Sequence, residues 1–258
     1  MNDLIQKHIS NIFGCSSANF DKYPEIWMKN IELYIPQLFE LILLNSNYKS
    51  NIISMNNFTV SDLSLKNLFD NYGSDKGNMY YPLYTSILEK YKNIEKLRLL
   101  EIGLGTNNPS LISTMGAGTR YRCGGSLRSF RDYLPNSNIF GADVDKECLF
   151  NEEKINTFFV DQLEIDTFNI LYTNCGNLKF DIIIDDGLHS IGANLNTLIF
   201  ALKSINNNGI IIIEDIPITK IKGYQIVDYI LNCNNTKYKT SFITYNNNSG
   251  FIYMIEIL

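Results

Sequence analysis

The sequence predicts an α/β fold: a mainly parallel sheet that ends in an antiparallel hairpin and follows an N-terminal helical extension. Three observations predict it. From about residue 97, short runs rich in β-branched and aromatic residues alternate with amphipathic helical stretches. The runs are apolar throughout rather than alternating, as in strands that helices cover on both faces. The first run leads directly into Gly103-Leu104-Gly105, a turn that lets backbone approach a ligand closely.

The first 60 residues carry helical periodicity. Trp27, Ile31, Tyr34, Ile35, Leu38, Leu41 and Ile42 recur at three- and four-residue steps and share one helix face. Pro36 lies inside that run, so a kink or a fresh helix start is expected there. Residues 1–64 read as a helical cap or oligomerisation element, from which a homo-oligomer is expected, and residues 65–258 as one α/β domain. Within it, strands are expected at 97–102 (LRLLEI), 138–144 (NIFGADV), 157–160 (TFFV), 180–184 (FDIII) and 209–213 (GIIII). Residues 126–133, part of 147–156, and 191–205 supply crossovers. Residues 241–245 and 251–257 flank an Asn-rich turn and read as the closing hairpin.

Composition bounds the function. A chain of 258 residues, 45% hydrophobic and 19% charged, buries a substantial core but is too short for two full-sized enzymes. A net charge of −5 argues against a nucleic-acid partner, which needs a concentrated basic face. It leaves room for a small anionic molecule, because a few Arg or Lys residues hold one phosphate. The N-terminus has neither the basic start nor the apolar core of a signal peptide. Apolar runs such as 210–213 fall far below the roughly 20 residues that span a bilayer. Five scattered cysteines without a CxxC pair fit reduced thiols, so a cytoplasmic setting is expected.

The glycine turn distinguishes two cofactor classes. A dinucleotide fingerprint needs a third glycine and a helix N-terminus at once, to hold a pyrophosphate. Here Thr106-Asn107-Asn108-Pro109 follows Gly105, and a plausible helix start comes only at Gly124-Gly125-Ser126. This favours S-adenosylmethionine over NAD, since a sulfonium cofactor needs no pyrophosphate cradle and gains from a nearby carboxylate such as Glu101. Gly103 and Gly105 then form the cofactor turn. Asp143, at the end of the second strand, is placed for ribose hydroxyls, and Asp161 and Gln162, after the third, for the adenine edge.

The fourth strand ends in Asp185-Asp186-Gly187-Leu188-His189 and the fifth in Glu214-Asp215. Crowded carboxylates repel one another unless protonated or neutralised, and a divalent cation neutralises them directly. Oxygen ligands favour Mg²⁺, Mn²⁺ or Ca²⁺ over zinc. Asp186, Glu214 and Asp215 are the expected ligands, with Asp185 nearer the cofactor or supporting the turn. His189 is one of only two histidines. Beside these acids it is the expected general base, able to take a hydroxyl proton as a methyl group moves. The alternative for the acids is a metal-free rim facing the sulfonium.

Taken together, 72–77 (YGSDKG), 99–105 (LLEIGLG), 124–130 (GGSLRSF), Asp161-Gln162, 185–189 (DDGLH) and Glu214-Asp215 resemble one family. It is the metal-dependent sugar O-methyltransferases of natural-product and polysaccharide pathways, within the class I S-adenosylmethionine-dependent methyltransferases. The resemblance covers roughly residues 65–216. It implies a Rossmann-like domain, S-adenosylmethionine with Mg²⁺ (or Mn²⁺), His189 as base, Asp186 at the reaction centre, and a sugar or nucleotide-sugar hydroxyl as acceptor. It also implies that Lys76 and Ser126 hold the cofactor's amino-acid tail. The chain departs from the family's DDGSH-like run by carrying Leu188. Two rival readings are an NAD-dependent oxidoreductase and a non-catalytic methyltransferase-like subunit. Arg120 and Arg122, in a long loop at 107–123, are candidates for a nucleotide's phosphates, and Tyr80, Tyr81 and Tyr84 for stacking or packing.

Overall fold

The computed structural model describes residues 48–258 apart from 107, 109, 112–121 and 234–235, with a few positions between 37 and 44. The chain divides into two compact units, Met1–Lys49 and Ser50–Leu258. In the first unit the described positions between 37 and 44 are helical, Leu38, Leu41 and Ile42 among them. The rest of the expected N-terminal helix, including Trp27, Ile31, Tyr34, Ile35 and Pro36, lies outside the described residues.

The second unit is built on a nine-stranded sheet. Its strands are β1 (Ile52–Ser54), β2 (Arg98–Ile102), β3 (Asn138–Asp143), β4 (Asn151–Glu152), β5 (Ile155–Phe159), β6 (Phe180–Asp185), β7 (Ile205–Pro217), β8 (Tyr238–Tyr245) and β9 (Gly250–Ile257). They lie in the order β1-β8-β9-β7-β6-β2-β3-β5-β4. The pairs β7–β6, β6–β2, β2–β3 and β3–β5 are parallel, and β9 runs antiparallel to both β7 and β8. A mainly parallel sheet closed by a hairpin is thus present. Its strand order reverses beside β2, where open α/β sheets bind ligands.

Period-two alternation explains the unbroken apolar runs. Leu99, Ile182, Ile184, Ile210 and Ile212 face one core, with Phe69, Leu83, Tyr84 and Phe130. Leu100, Ile183, Ile211 and Ile213 face the other, with Phe168, Leu198 and Ala201. Helices α1 (Ser64–Tyr72), α3 (Tyr81–Leu88) and α4 (Gly125–Tyr133) supply residues to the first core, and the short α2 (Lys76–Met79) precedes α3. The second takes residues from α5 (Ile165–Asn174), α6 (Ile191–Ser204) and α7 (Ile221–Asn232). Each central strand is therefore buried on both faces.

Three local features differ from the sequence pattern. The crossover expected within 147–156 is a single 3-10 turn at Lys146–Cys148 followed by the tight β4–β5 hairpin. That stretch (NEEKIN over 151–156) has no apolar stripe to lay on the sheet, and Lys154 turns the chain at φ +61°. Helix α5 forms where no element was expected; its Thr and Asn content disfavours helix, and burial of Phe168 and Leu171 supports it instead. Finally, β1 pairs in parallel with β8, so the compact unit begins at Ser50 rather than at residue 65.

Candidate active site

The glycine turn is fixed by its neighbours. Gly103 (φ +97°) and Gly105 (φ +80°) both adopt backbone conformations that other residues rarely reach. A Cβ on Gly103 would collide with the Asp186 carbonyl, so β2 and β6 meet at their ends with no room for a side chain. The Leu104 N–H donates to Asp143 Oδ2 at 2.7 Å, and the Asp145 N–H donates to Asp143 Oδ1 at 2.8 Å. The Thr106 hydroxyl donates to Asp145. Burial raises the Asp143 carboxyl against the pull of these backbone donors. From this turn a cleft of about 370 Å³ opens, lined by Gly103, Gly105, Asp143, Asp161, Asp186 and His189. Its apolar walls include Val144, Leu111, Leu163 and Leu188. A mostly apolar cleft with a few convergent polar groups is the ordinary form of a small-molecule site.

Register brings the acids together. Ile102 pairs with Asp185, and Asp185 with Ile213, so the ends of β2, β6 and β7 are adjacent. The pairing of β7 with β9 shifts between Ile213 and Ile216, and Asp215 takes φ +55° there. Bulges of this kind re-aim side chains beside functional sites. They turn Glu214 inward, where it is 1% exposed, and leave Asp215 half-buried.

A lysine sits among these acids. Lys76 is 2% exposed, and its Nζ lies 2.5 Å from Asp186 Oδ2, 2.6 Å from Glu214 Oε2 and 3.3 Å from Glu101 Oε1. Burial alone would discharge it, but Asp186, Glu214 and Glu101 outweigh burial and hold the ammonium charged well above its usual range. Burial pushes the Glu101 carboxyl up to about 7, against the pull of Lys76. Burial also raises Asp186 and Glu214, with Lys76 opposing in both. Tyrosines complete the set. Tyr84 donates to Glu214 Oε1, while Tyr80 and Tyr245 both donate to Asp215 Oδ1, the latter at 2.8 Å. Burial and these carboxylates raise both Tyr80 and Tyr84, which keeps their hydroxyls protonated as donors.

Two carboxylate oxygens stay clear of these donors, Asp186 Oδ1 and Asp215 Oδ2. His189 Nε2 lies 3.9 Å from the first and 3.6 Å from the second, too far for direct hydrogen bonds. One ligand atom from each of Asp186, His189 and Asp215 falls within 4.8 Å of the others. Ligands about 2.1 Å from one hard cation stand about 3 to 4 Å apart, so the two carboxylates fit such an ion with the imidazole beside it. Glu214, an expected ligand, lies outside the group, because Tyr84 and Lys76 occupy its two oxygens. His189 is held at φ +52°, and Lys220 Nζ donates to its carbonyl at 2.8 Å. Backbone strain of this kind persists only where its surroundings enforce it.

The remaining candidates have other partners. Lys76 turns to the acids, and Ser126 donates to Glu101, so both expected tail ligands are engaged inside the protein. Gln162 is 7% exposed. Its Nε2 donates to Asp185 Oδ1 and Thr197 Oγ1 at 2.8 Å each, and its Oε1 accepts from the Leu188 N–H at 2.7 Å. It thus ties together the loop that carries Asp186 and His189. Asp185 is fully buried, and its Oδ1 accepts from Gln162 Nε2 and from the Gly187 N–H at 3.3 Å. Asp161 lines the cleft, where its Oδ1 accepts from the Leu163 N–H at 2.9 Å. Arg120 lies outside the described residues, as does most of the loop at 107–123.

Tyr80 and Tyr84, candidates for stacking or packing, serve as hydrogen-bond donors to the acids, a role for which the sequence carries a signal, and Tyr245 joins them without one. Lys76, Tyr80 and Tyr84 recur every four residues and so lie along one face of the α2–α3 segment. All three deliver polar tips to the acids.

No protein-family profile matches the chain. In sequence it is similar to the 8-demethyl-8-(2-methoxy-alpha-L-rhamnosyl)-tetracenomycin-C 3'-O-methyltransferase of Streptomyces olivaceus, 29% identical over 59% of this chain and 37% of that one. It is also similar to the mycinamicin VI 2''-O-methyltransferase of Micromonospora griseorubida (31% identical; 53% and 31% covered). The demethylmacrocin O-methyltransferase of Streptomyces fradiae is 30% identical, over 61% of this chain and 36% of that one. The chain spans about a third of the length of these curated relatives. Among solved structures it is similar to the MycE methyltransferase from the mycinamycin biosynthetic pathway, in complex with Mg and SAH. The TM-score is 0.58 at 22% identity, over 75% of this chain and 54% of that one. The fold is that of a Rossmann-like methyltransferase.

Proposed function

We propose that the chain is an S-adenosylmethionine-dependent O-methyltransferase that acts on a sugar hydroxyl, with a divalent cation (Mg²⁺ or Mn²⁺) and His189 as base. The acceptor in this reading is a nucleotide-linked or polysaccharide-pathway sugar. One observation carries it: His189 Nε2 stands 3.9 Å from Asp186 Oδ1 and 3.6 Å from Asp215 Oδ2, in a cleft that starts at the Gly103–Gly105 turn. Similarity to sugar O-methyltransferases supports the same reading. So does the likeness to a structure described in complex with Mg, SAH and mycinamycin VI. A cytoplasmic homo-oligomer without a nucleic-acid partner completes it. No helix among the described residues is long and apolar enough to cross a membrane.

S-adenosylmethionine, when bound, supplies a methyl group made electrophilic by its sulfonium. Asp186 and Asp215 would hold a divalent cation, which would supply positive charge favouring loss of the acceptor's hydroxyl proton. The chain's own residues do the rest. The two glycines let backbone close on the cofactor, Asp143 and Asp161 present acceptors along the cleft, and the apolar walls exclude water from a flat ring. His189 Nε2 takes the hydroxyl proton, and the flanking carboxylates stabilise the imidazolium that results. Positioning carries much of the acceleration in such a displacement.

The test is an acceptor screen. The protein is incubated with S-adenosylmethionine, Mg²⁺ and a panel of free and nucleotide-linked sugars, and release of adenosylhomocysteine is followed with and without EDTA. Sugar-dependent release that EDTA suppresses is expected. Binding of NAD rather than adenosylmethionine in calorimetry would overturn the reading.

A further inference from the structure

An ammonium offers three N–H donors, and Lys76 Nζ has three carboxylate oxygens in reach, from Glu101 on β2, Asp186 after β6 and Glu214 on β7. Two of its N–H groups donate to Asp186 Oδ2 and Glu214 Oε2, and Glu101 Oε1 lies at ion-pair distance. Three strand ends that repel one another are therefore joined through a single cation, carried in from α2. The placement is built: a Cβ on Gly77 would run into Asp70 and Phe69, so α2 is seated directly against α1. Tyr80 and Tyr84, one and two turns on, hold the neighbouring oxygens of Asp215 and Glu214. Each acid is pinned by one oxygen at least. Asp186 Oδ1 and Asp215 Oδ2 are left pointing at His189.

We infer that Lys76 is a positioning residue, an internal counter-ion that keeps Glu101, Asp186 and Glu214 assembled before any divalent cation arrives and loosens that cation's hold. The inference about the divalent cation rests on the function proposed above; the counter-ion role stands on the geometry alone. Neutralisation comes from within the chain, so the site stays folded without metal. The same positive charge repels an incoming cation, and Glu214 joins its ligands only by giving up Lys76. The bound ion is consequently weakly held and exchanges readily.

The experiment uses the full chain and the variant Lys76→Met, a near-isosteric apolar replacement. Melting temperature is measured in EDTA, and Mn²⁺ affinity and adenosylhomocysteine affinity by calorimetry. Expected is a melting temperature lower by about 10 °C in EDTA. Mn²⁺ should bind about tenfold tighter than to the wild type and restore most of the lost stability. A residue needed only for shape would weaken Mn²⁺ binding instead, and that result overturns the inference. So does an unchanged melting temperature in EDTA with reduced adenosylhomocysteine affinity, which would return Lys76 to the cofactor's tail. If Lys76→Met does not fold, the charge-balanced double variant Lys76→Met/Glu214→Gln is expected to fold; its failure overturns the counter-ion role. If the wild type binds no Mn²⁺, the metal part of the proposed function fails, while the EDTA measurement still decides the role of Lys76.

Discussion

Lys76 Nζ stands 2.6 Å from Glu214 Oε2, with both side chains 1% exposed and 138 positions apart in sequence. This contact, with its companions to Asp186 and Glu101, gathers one ammonium and three carboxyl groups at the end of the sheet. Losses on the two sides are therefore unequal.

Removing the cation strands every anion, whereas removing one anion relieves repulsion. Lys76→Met is expected to cost about 3–5 kcal/mol, as when a buried pair loses one partner. Glu214→Gln keeps acceptor and donor groups for Lys76 and Tyr84 and is expected to change stability by no more than about 1 kcal/mol. Chemical denaturation of the two variants in EDTA checks the asymmetry.

Stability in EDTA is expected to rise as pH falls from about 8 toward 5. Burial raises the Glu101 carboxyl from 4.5 to about 7 in the folded chain. Between those values the folded state binds a proton that the unfolded state has released. The stabilisation is thus complete below the unfolded value and lost as pH rises through about 7. Asp186 and Glu214 are raised too and act in the same sense. Thermal melts across this pH range check the slope, and Mn²⁺ should flatten it by competing with protons.

His189→Asn is expected to lower turnover by about 10²–10⁴-fold while leaving adenosylhomocysteine affinity close to wild type. Asn is chosen because it tolerates the left-handed backbone that His189 adopts at φ +52°, so a loss reports chemistry rather than strain. Turnover and calorimetry on the same preparation separate the two effects.

Gln162→Leu is expected to cost about 1–3 kcal/mol and to reduce turnover, although Gln162 has no part in the proton transfer. It leaves Asp185 Oδ1 and the Leu188 N–H without their amide partner. Gly187→Ala should act in the same direction, because its Cβ would land on the Gln162 amide. Denaturation curves and turnover rates check both.

Much of this arrangement is legible in the sequence because it is local. Apolar runs mark β2, β3, β6 and β7, and the residues just past them, Gly103, Asp143, Asp186 and Glu214-Asp215, necessarily come to one edge. What is not legible depends on pairings over long separations. Nothing in the sequence shows Lys76 and Tyr84 reaching the two oxygens of Glu214. Nor does it show Asp185, Leu188 and Thr197 closing around the Gln162 amide. The crossover expected near residue 150 fails for a different reason: polar residues that permit a helix also permit a hairpin, and no apolar stripe decides between them.

The proposed chemistry requires Asp186, Asp215 and His189 to converge on one point, and anomalous scattering from a crystal grown with Mn²⁺ and adenosylhomocysteine is the sharpest check on it. A single manganese peak is expected within bonding distance of Asp186 Oδ1 and Asp215 Oδ2, beside His189 and at the end of the cleft that holds adenosylhomocysteine. A crystal in which adenosylhomocysteine fills the cleft and manganese is absent, or is bound away from both aspartates, would contradict it.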